Sequence, residues 1–128
     1  PFYKILSNLG IKKNQMKIYK MFNHISIKNQ RKIRMYKGVK QTLKYFNENK
    51  FSTAIVTSKD KSRVSRLKKI LKIPISNIVC PSIRFRGKPY PDQIFEAIKK
   101  SKINPEKVYF VGDMYVDYLT AKNAKIMI

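Results

Sequence analysis

Two carboxylates, Asp113 and Asp117, follow a short apolar run at residues 108–111 and a single glycine, Gly112. This pattern predicts a buried strand whose C-terminal end carries acidic side chains into a crevice. Ligands of open α/β sheets bind at that edge of the sheet, and carboxylate oxygens are common ligands of divalent cations. The pair therefore indicates a divalent cation site. The alternative is that Asp113 caps the next helix and Asp117 lies on its solvated face.

A second apolar run, residues 53–57, ends with the hydroxyl residue Thr57 and is followed by Ser58. Its β-branched residues predict a buried strand. A hydroxyl at the strand end can donate a hydrogen bond to a phosphoryl oxygen, and the backbone N–H groups of the next helix start favour anions. The alternative is that Thr57 and Ser58 only cap that helix.

Lys88 lies in a predicted loop at residues 81–91, between Gly87 and Pro89. Glycine and proline on the two sides of the lysine are typical of a tight turn with a defined backbone. A proline just before Asp92 predicts that a helix starts directly after the loop. Lys88 therefore differs from an ordinary surface lysine and is a candidate for contact with an anion.

Composition excludes several classes of protein. A hydrophobic content of 43% and an aromatic content of 12% exclude a disordered chain. The single cysteine, Cys80, excludes a disulfide framework and fits a reducing compartment. No apolar run approaches the roughly 20 residues that span a bilayer, and no signal peptide is visible. The sequence therefore predicts a cytoplasmic protein without a membrane partner, and it carries no signal for a particular oligomeric state.

The net charge of +22 raises the question of nucleic-acid binding. The 29 Lys and Arg residues are spread along the whole chain. They form no arginine-rich arm, and neither a zinc-finger spacing nor an RNA-recognition strand signature accompanies them. The distribution disfavours nucleic acid as the partner, although the charge favours anionic substrates through long-range steering.

Predicted helices and strands alternate along most of the chain, which is typical of βαβ units and a parallel sheet in an α/β fold. The first 33 residues are expected to be helical. The remaining predicted helices are 39–50, 61–71, 93–102 and 115–123, and the predicted strands are 53–57, 77–80, 108–111 and the start of a fourth at 125–128.

Three segments resemble motifs II, III and IV of the haloacid dehalogenase-like hydrolases, in the right order. They are Ile-Val-Thr-Ser-Lys at 55–59, Gly-Lys-Pro-Tyr-Pro-Asp at 87–92 and Val-Gly-Asp-Met-Tyr-Val-Asp at 111–117. The similarity is greatest to the phosphoglycolate phosphatase-like branch. It implies a three-layer, Rossmann-like parallel sheet at residues 34–128 and the C-terminal part of a helical cap at residues 1–33.

The resemblance also implies roles for the candidate residues. Enzymes of this family use Mg²⁺ and an aspartate nucleophile to act on a phosphate monoester. Asp113 would bind the metal, and Asp117 would support that site or orient Lys88. Thr57 and the backbone of Ser58 would bind the phosphate of a small phosphorylated metabolite. Lys88 would offset the charge that accumulates during phosphoryl transfer.

One part of the family pattern is missing. Motif I is Asp-x-Asp on the central strand, and residues 1–128 contain no such pair. The expected function is therefore that of a fragment of a Mg²⁺-dependent phosphatase that itself lacks the nucleophile. The alternatives are a phosphoglucomutase-type phosphotransferase and a non-catalytic basic module that binds nucleic acid or another polyanion.

The missing motif has a structural consequence. In the family's sheet the motif I strand lies between the strands that precede motifs II and IV. Without it, residues 53–57 and 108–111 are expected either to flank an empty slot or to pair with each other. An empty slot leaves backbone groups unpaired and predicts a chain of low stability.

Overall fold

A computed structural model describes residues 2–75 and 77–128. The chain divides into two units, one that extends to Arg34 and one that begins at Met35. Within the described residues, no helix combines the length and the apolar character needed to cross a membrane.

The first unit is a helical hairpin. Its elements are α1 (Phe2–Asn8), α2 (Gln15–Asn29) and a 3₁₀ turn at Gln30–Lys32. The ring of Phe2 packs 4.8 Å from that of Phe22, and Leu6 is buried. Gly10 has a φ of 77° at the turn after α1, where a side chain would be strained. Aromatic contacts between the two helices therefore hold the hairpin together.

The second unit alternates helices and strands as the sequence predicts. Its elements are α3 (Val39–Glu48), β1 (Ala54–Val56), α4 (Lys61–Leu71), β2 (Asn77–Val79), α5 (Asp92–Ser101), a 3₁₀ turn at Pro105–Lys107, and α6 (Tyr115–Ala124). The two strands are parallel, with Ile55 opposite Ile78. The predicted α/β class, with a partial Rossmann-like parallel sheet, is confirmed.

Helix α5 supplies the core that covers this sheet. It packs against both strands and against α6. Its apolar residues Ile94 and Ala97 recur at helical spacing and are buried, as is Val79 of β2. The start of α5 is thereby fixed to the strand ends, so the loop that precedes α5 is held at the same edge.

The prediction that residues 108–111 and 125–128 form strands is wrong for the described part of the chain. Only one parallel bridge, between Tyr109 and Met127, joins them. Val111 is 93% exposed, so the segment is not the buried strand that its apolar residues predict. A run of apolar residues becomes a buried strand only where neighbours cover it and complete its ladder.

The two segments that were expected to flank a slot do not pair with each other. β1 pairs with β2, and Tyr109 pairs with Met127; within residues 2–75 and 77–128 no ladder joins β1 to residues 108–111. The alternative in which the two segments close up is therefore wrong. Each segment keeps one edge without a strand partner among the described residues.

Helix α4 begins at a side-chain cap that can be tested. The carboxylate of Asp60 accepts a hydrogen bond from the backbone N–H of Arg63 at 2.9 Å. Asp60→Ala removes this acceptor and is expected to lower the free energy of unfolding by about 1 kcal/mol. Urea denaturation measures the change. Glu48→Ala removes an exposed carboxylate at the end of α3 and is the control. An equal loss in both variants would contradict a capping role.

Candidate active site

Lys88 and Asp117 form an ion pair that joins the loop after β2 to the first turn of α6. The Lys88 Nζ atom lies 2.5 Å from the Asp117 Oδ1 atom. The two side chains are only 14% and 8% exposed. Shielding from water increases the attraction between the two charges, and removal of either partner would leave the other charge uncompensated. The structure thus brings together two of the residues predicted from the sequence.

Asp117 is anchored at its other oxygen as well. Its Oδ2 atom accepts a hydrogen bond from the backbone N–H of Met114 at 3.2 Å. The Lys88 hydrogen bond lowers the pKa of Asp117, burial opposes this shift, and the backbone N–H groups of Met114 and Asp113 also favour the charged form. Asp117 therefore stays ionised in the folded chain.

The alternative in which Asp113 caps α6 and Asp117 lies on its solvated face is wrong. The residue at the N-cap of α6 is Met114, not Asp113. Asp117 is 5% exposed and does not lie on a solvated face. Its carboxylate instead accepts a hydrogen bond from the backbone N–H of the N-cap residue. Asp117 lies in the first turn of α6, where the helix dipole stabilises negative charge.

Gly112 gives Asp117 the space that it occupies. A Cβ atom at Gly112 would lie 2.6 Å from Cγ and 2.7 Å from Oδ2 of Asp117. Both distances are shorter than real carbon contacts, so any side chain at this position would displace the carboxylate. The glycine before Asp113 is therefore explained by Asp117, whose carboxylate occupies the space that a side chain at position 112 would fill.

Further contacts hold the Lys88 loop against α6. The Lys88 ammonium lies 5.0 Å from the centroid of the Phe110 ring. The Asn123 side chain donates a hydrogen bond to the Pro89 carbonyl oxygen at 2.9 Å, and the Lys88–Pro89 peptide is cis. Asn123 was not among the predicted site residues, and an asparagine on a helix gives no signal of such a contact.

Thr57 lies at the end of β1, and it is not the cap of α4. That role belongs to Asp60. The Thr57 backbone N–H donates to the Val79 carbonyl at 3.1 Å, and its Oγ1 accepts from the Lys59 N–H at 3.1 Å. The hydroxyl hydrogen remains available to donate. Ser58, the other predicted phosphate-binding residue, is exposed beside it.

Gln93 connects the end of β1 to the first turn of α5, and it was not among the residues predicted from the sequence. Its side chain is 1% exposed and donates a hydrogen bond to the Thr57 carbonyl at 3.1 Å. Its Oε1 atom is buried and has no hydrogen-bond partner among the described residues. The available signal was a polar residue beside Ile94 on the apolar face of a predicted helix.

The residues present fit a magnesium ion only in part. Asp113 is exposed, whereas the oxygens of Asp117 already accept hydrogen bonds from Lys88 and Met114. Among the residues described, no three His, Cys, Asp or Glu side chains are grouped to hold a metal. Mg²⁺ is commonly bound by one or two carboxylates together with substrate phosphate oxygens and water. Asp113 fits one such carboxylate.

Comparison with known proteins identifies the family. The sequence model of the haloacid dehalogenase-like hydrolases matches residues 1–128. The chain belongs to the haloacid dehalogenase-like hydrolase family. Phosphoglycolate phosphatase 1 of Pseudomonas aeruginosa is 32% identical to it over 94 residues, which are 72% of this chain and 35% of that protein. The chain thus lies in the phosphoglycolate phosphatase-like branch and spans about a third of the length of this curated relative.

Two solved structures of haloacid dehalogenase-like proteins share the fold. A candidate beta-phosphoglucomutase from Thermotoga maritima has a TM-score of 0.78 at 20% identity, covering 98% of this chain and 59% of that one. A hydrolase of the superfamily from Ehrlichia chaffeensis has a TM-score of 0.63 at 21% identity, covering 98% and 78%. At these identities the likeness concerns the fold alone.

Proposed function

We propose that this chain is the phosphate-binding part of a haloacid dehalogenase-like phosphatase that hydrolyses a small phosphate monoester. The observation that carries the proposal is the shielded Lys88–Asp117 ion pair, which fixes an ammonium group where the loop after β2 meets the first turn of α6. Phosphoryl transfer requires positioning and charge stabilisation more than any other contribution from the protein. A lysine whose ammonium is already oriented meets that requirement.

Each predicted residue has a role in this proposal. Lys88 offsets the negative charge that develops on the phosphoryl group, and Asp117 orients Lys88 rather than binding the metal directly. Thr57 donates its hydroxyl hydrogen to a phosphoryl oxygen, with the Ser58 backbone N–H beside it. Asp113 contributes one carboxylate to a Mg²⁺ ion. That ion would supply further neutralisation of the phosphate charge.

The nucleophile must come from outside these 128 residues. The chain contains no Asp-x-Asp, and its seven acidic residues include none in the first 47 positions. We infer that the phosphoryl acceptor belongs to a segment that is not part of this sequence and that the chain alone is inactive. In the same proposal residues 1–33 are the C-terminal part of a cap, residues 34–128 belong to the core, and the protein acts in the cytoplasm on a phosphorylated metabolite.

The test is an assay of the longer protein that carries these 128 residues together with an Asp-x-Asp strand. With Mg²⁺ and a chromogenic phosphate ester it is expected to release phosphate, whereas the 128-residue chain releases none. Lys88→Met in the longer protein is expected to lower kcat by about a hundredfold or more, the loss typical of a transition-state charge contact. Lys99→Met, which removes an exposed lysine of α5, is the matched control.

The outcomes separate the competing functions. Transfer of phosphate to a second hydroxyl of a sugar phosphate, in place of release into water, would identify a phosphoglucomutase-type enzyme. Absence of turnover, combined with salt-sensitive binding to DNA, would support the basic module instead. A loss of kcat in Lys99→Met equal to that in Lys88→Met would contradict the role given to Lys88.

A further inference from the structure

Arg86 and Asp92 form a closed clamp around the loop that carries Lys88. The Arg86 Nε atom lies 3.0 Å from Asp92 Oδ2, and an Arg86 terminal nitrogen lies 2.8 Å from Asp92 Oδ1. The Arg86 backbone N–H also donates to Oδ2 at 3.0 Å. The carboxylate therefore binds both the side chain and the main chain of the same arginine. Bidentate pairs of this kind fix orientation as well as distance.

The clamp joins the two ends of a short loop. Arg86 directly precedes Gly87, and Asp92 is the first residue of α5, so the clamp spans residues 87–91. Inside the loop, the Tyr90 N–H donates to the Gly87 carbonyl at 3.1 Å, which forms a tight turn around Lys88. The Arg86 guanidinium also lies 4.4 Å from the centroid of the Tyr90 ring. The Tyr90 ring, the turn at Gly87 and the Arg86–Asp92 ion pair thus restrict the same stretch of backbone around Lys88.

The clamp is expected to order the Lys88 loop rather than to stabilise the whole chain. The Arg86 side chain is 64% exposed, and exposed pairs contribute little to stability. Its structural effect is local, because α6 holds the inner side of the loop through Lys88 and Pro89 while the clamp closes the outer side. Removing the clamp leaves only the turn at Gly87 and the contacts with α6 to fix the lysine.

We propose that Arg86 and Asp92 are positioning residues that hold the loop in the conformation that directs Lys88 toward Asp117. This inference rests on the proposed function only for its consequence in phosphate binding. The positioning itself can be measured on the 128-residue chain without any enzymatic activity. Neither residue is given contact with substrate.

The first measurement is the rate at which acetic anhydride acetylates Lys88, resolved by peptide mass spectrometry. Asp92→Asn is expected to raise this rate about two- to fivefold, the range that corresponds to loss of an exposed ion pair. Arg86→Gln should raise it similarly, and Arg86→Lys less, because it keeps the charge without the bidentate geometry. Glu96→Gln is the control, since it removes a partly exposed ion pair with Lys100 on the same helix.

The second measurement is binding of inorganic phosphate to the same variants by NMR titration. Faster acetylation of Lys88 with weaker phosphate binding supports both the clamp and the phosphate site. Faster acetylation in a chain whose wild type binds no phosphate supports the clamp and counts against the proposed function. An unchanged Lys88 rate in Asp92→Asn and Arg86→Gln, or an equal rise in Glu96→Gln, overturns the clamp. The urea midpoint of each variant shows whether that variant is folded under the conditions of the two measurements.

Discussion

Asp117→Asn is expected to destabilise the chain by about 3 kcal/mol, since removing one partner of a shielded ion pair leaves the other charge uncompensated. The Lys88 side chain is 14% exposed and cannot reach full hydration without moving the loop. Lys88→Met should cost a comparable amount for the same reason. Urea denaturation of both single variants measures these losses.

The double variant Lys88→Met with Asp117→Asn is the decisive comparison. Because it leaves no unpaired charge, it is expected to be more stable than the sum of the two single losses predicts. Glu96→Gln, which breaks a partly exposed pair, should change stability by less than about 1 kcal/mol. Strict additivity of the two single variants would contradict an energetic coupling between Lys88 and Asp117.

The same pair predicts an acid dependence. The folded chain holds the Asp117 pKa below that of the unfolded chain, so the unfolded state binds more protons as pH falls. The stability that this group contributes is fully present above the ordinary aspartate pKa of about 4, and it is lost as pH falls through the lowered value. Asp92 adds to the effect, because hydrogen bonds from Arg86 lower its pKa to about 2. Asp117→Asn should therefore weaken the dependence of the urea midpoint on pH below about 4.

Gly112→Ala is expected to destabilise the chain although it adds only one methyl group. The added methyl group would overlap the Asp117 carboxylate, so the first turn of α6 must shift away from Lys88. Overpacking of this kind costs about 1–3 kcal/mol. Denaturation measures that loss, and the acetylation rate of Lys88 reports whether the ion pair has opened.

Gly87→Ala is the matched control for this substitution. Gly87 adjoins Lys88, and a Cβ atom built there meets nothing within 4 Å. The alanine should change stability by no more than a few tenths of a kcal/mol, because it adds no clash and slightly restricts the unfolded chain. If both alanine variants behave alike, the steric role of Gly112 is wrong.

Local patterns predicted most of the helices because their signals lie within one helical turn. The bounds of α4, from Lys61 to Leu71, coincide with the prediction, since the apolar spacing and the stop at Pro74 agree. Residues 108–111 are different. Their apolar sequence is that of a buried strand, but strand formation depends on partners distant in the sequence, and these provide only the bridge at Met127.

The candidate site was predictable where the residue types themselves carry the chemistry. The Gly-Asp turn and the lysine between glycine and proline identified Asp113, Asp117 and Lys88 as candidates. Gln93 and Asn123 were missed because their contacts join segments that are distant in the sequence. Asparagine is equally common on solvated helix faces, so no local pattern marks Asn123, and the only signal for Gln93 was its place beside Ile94 on the apolar face of a predicted helix.

The exposed edge at residues 108–111 has a consequence for how copies of the chain behave toward one another. Tyr109 and Val111 are 69% and 93% exposed beside backbone groups that can pair with another strand, a template for association between molecules. The net charge of +22 opposes such contact through mutual repulsion. Because that repulsion fades beyond about 10 Å in 0.1 M salt, the ionic strength of the medium sets how closely the exposed edges approach. The basic surface is therefore expected to oppose association of copies through the exposed segment at residues 108–111, and less strongly as the salt concentration rises.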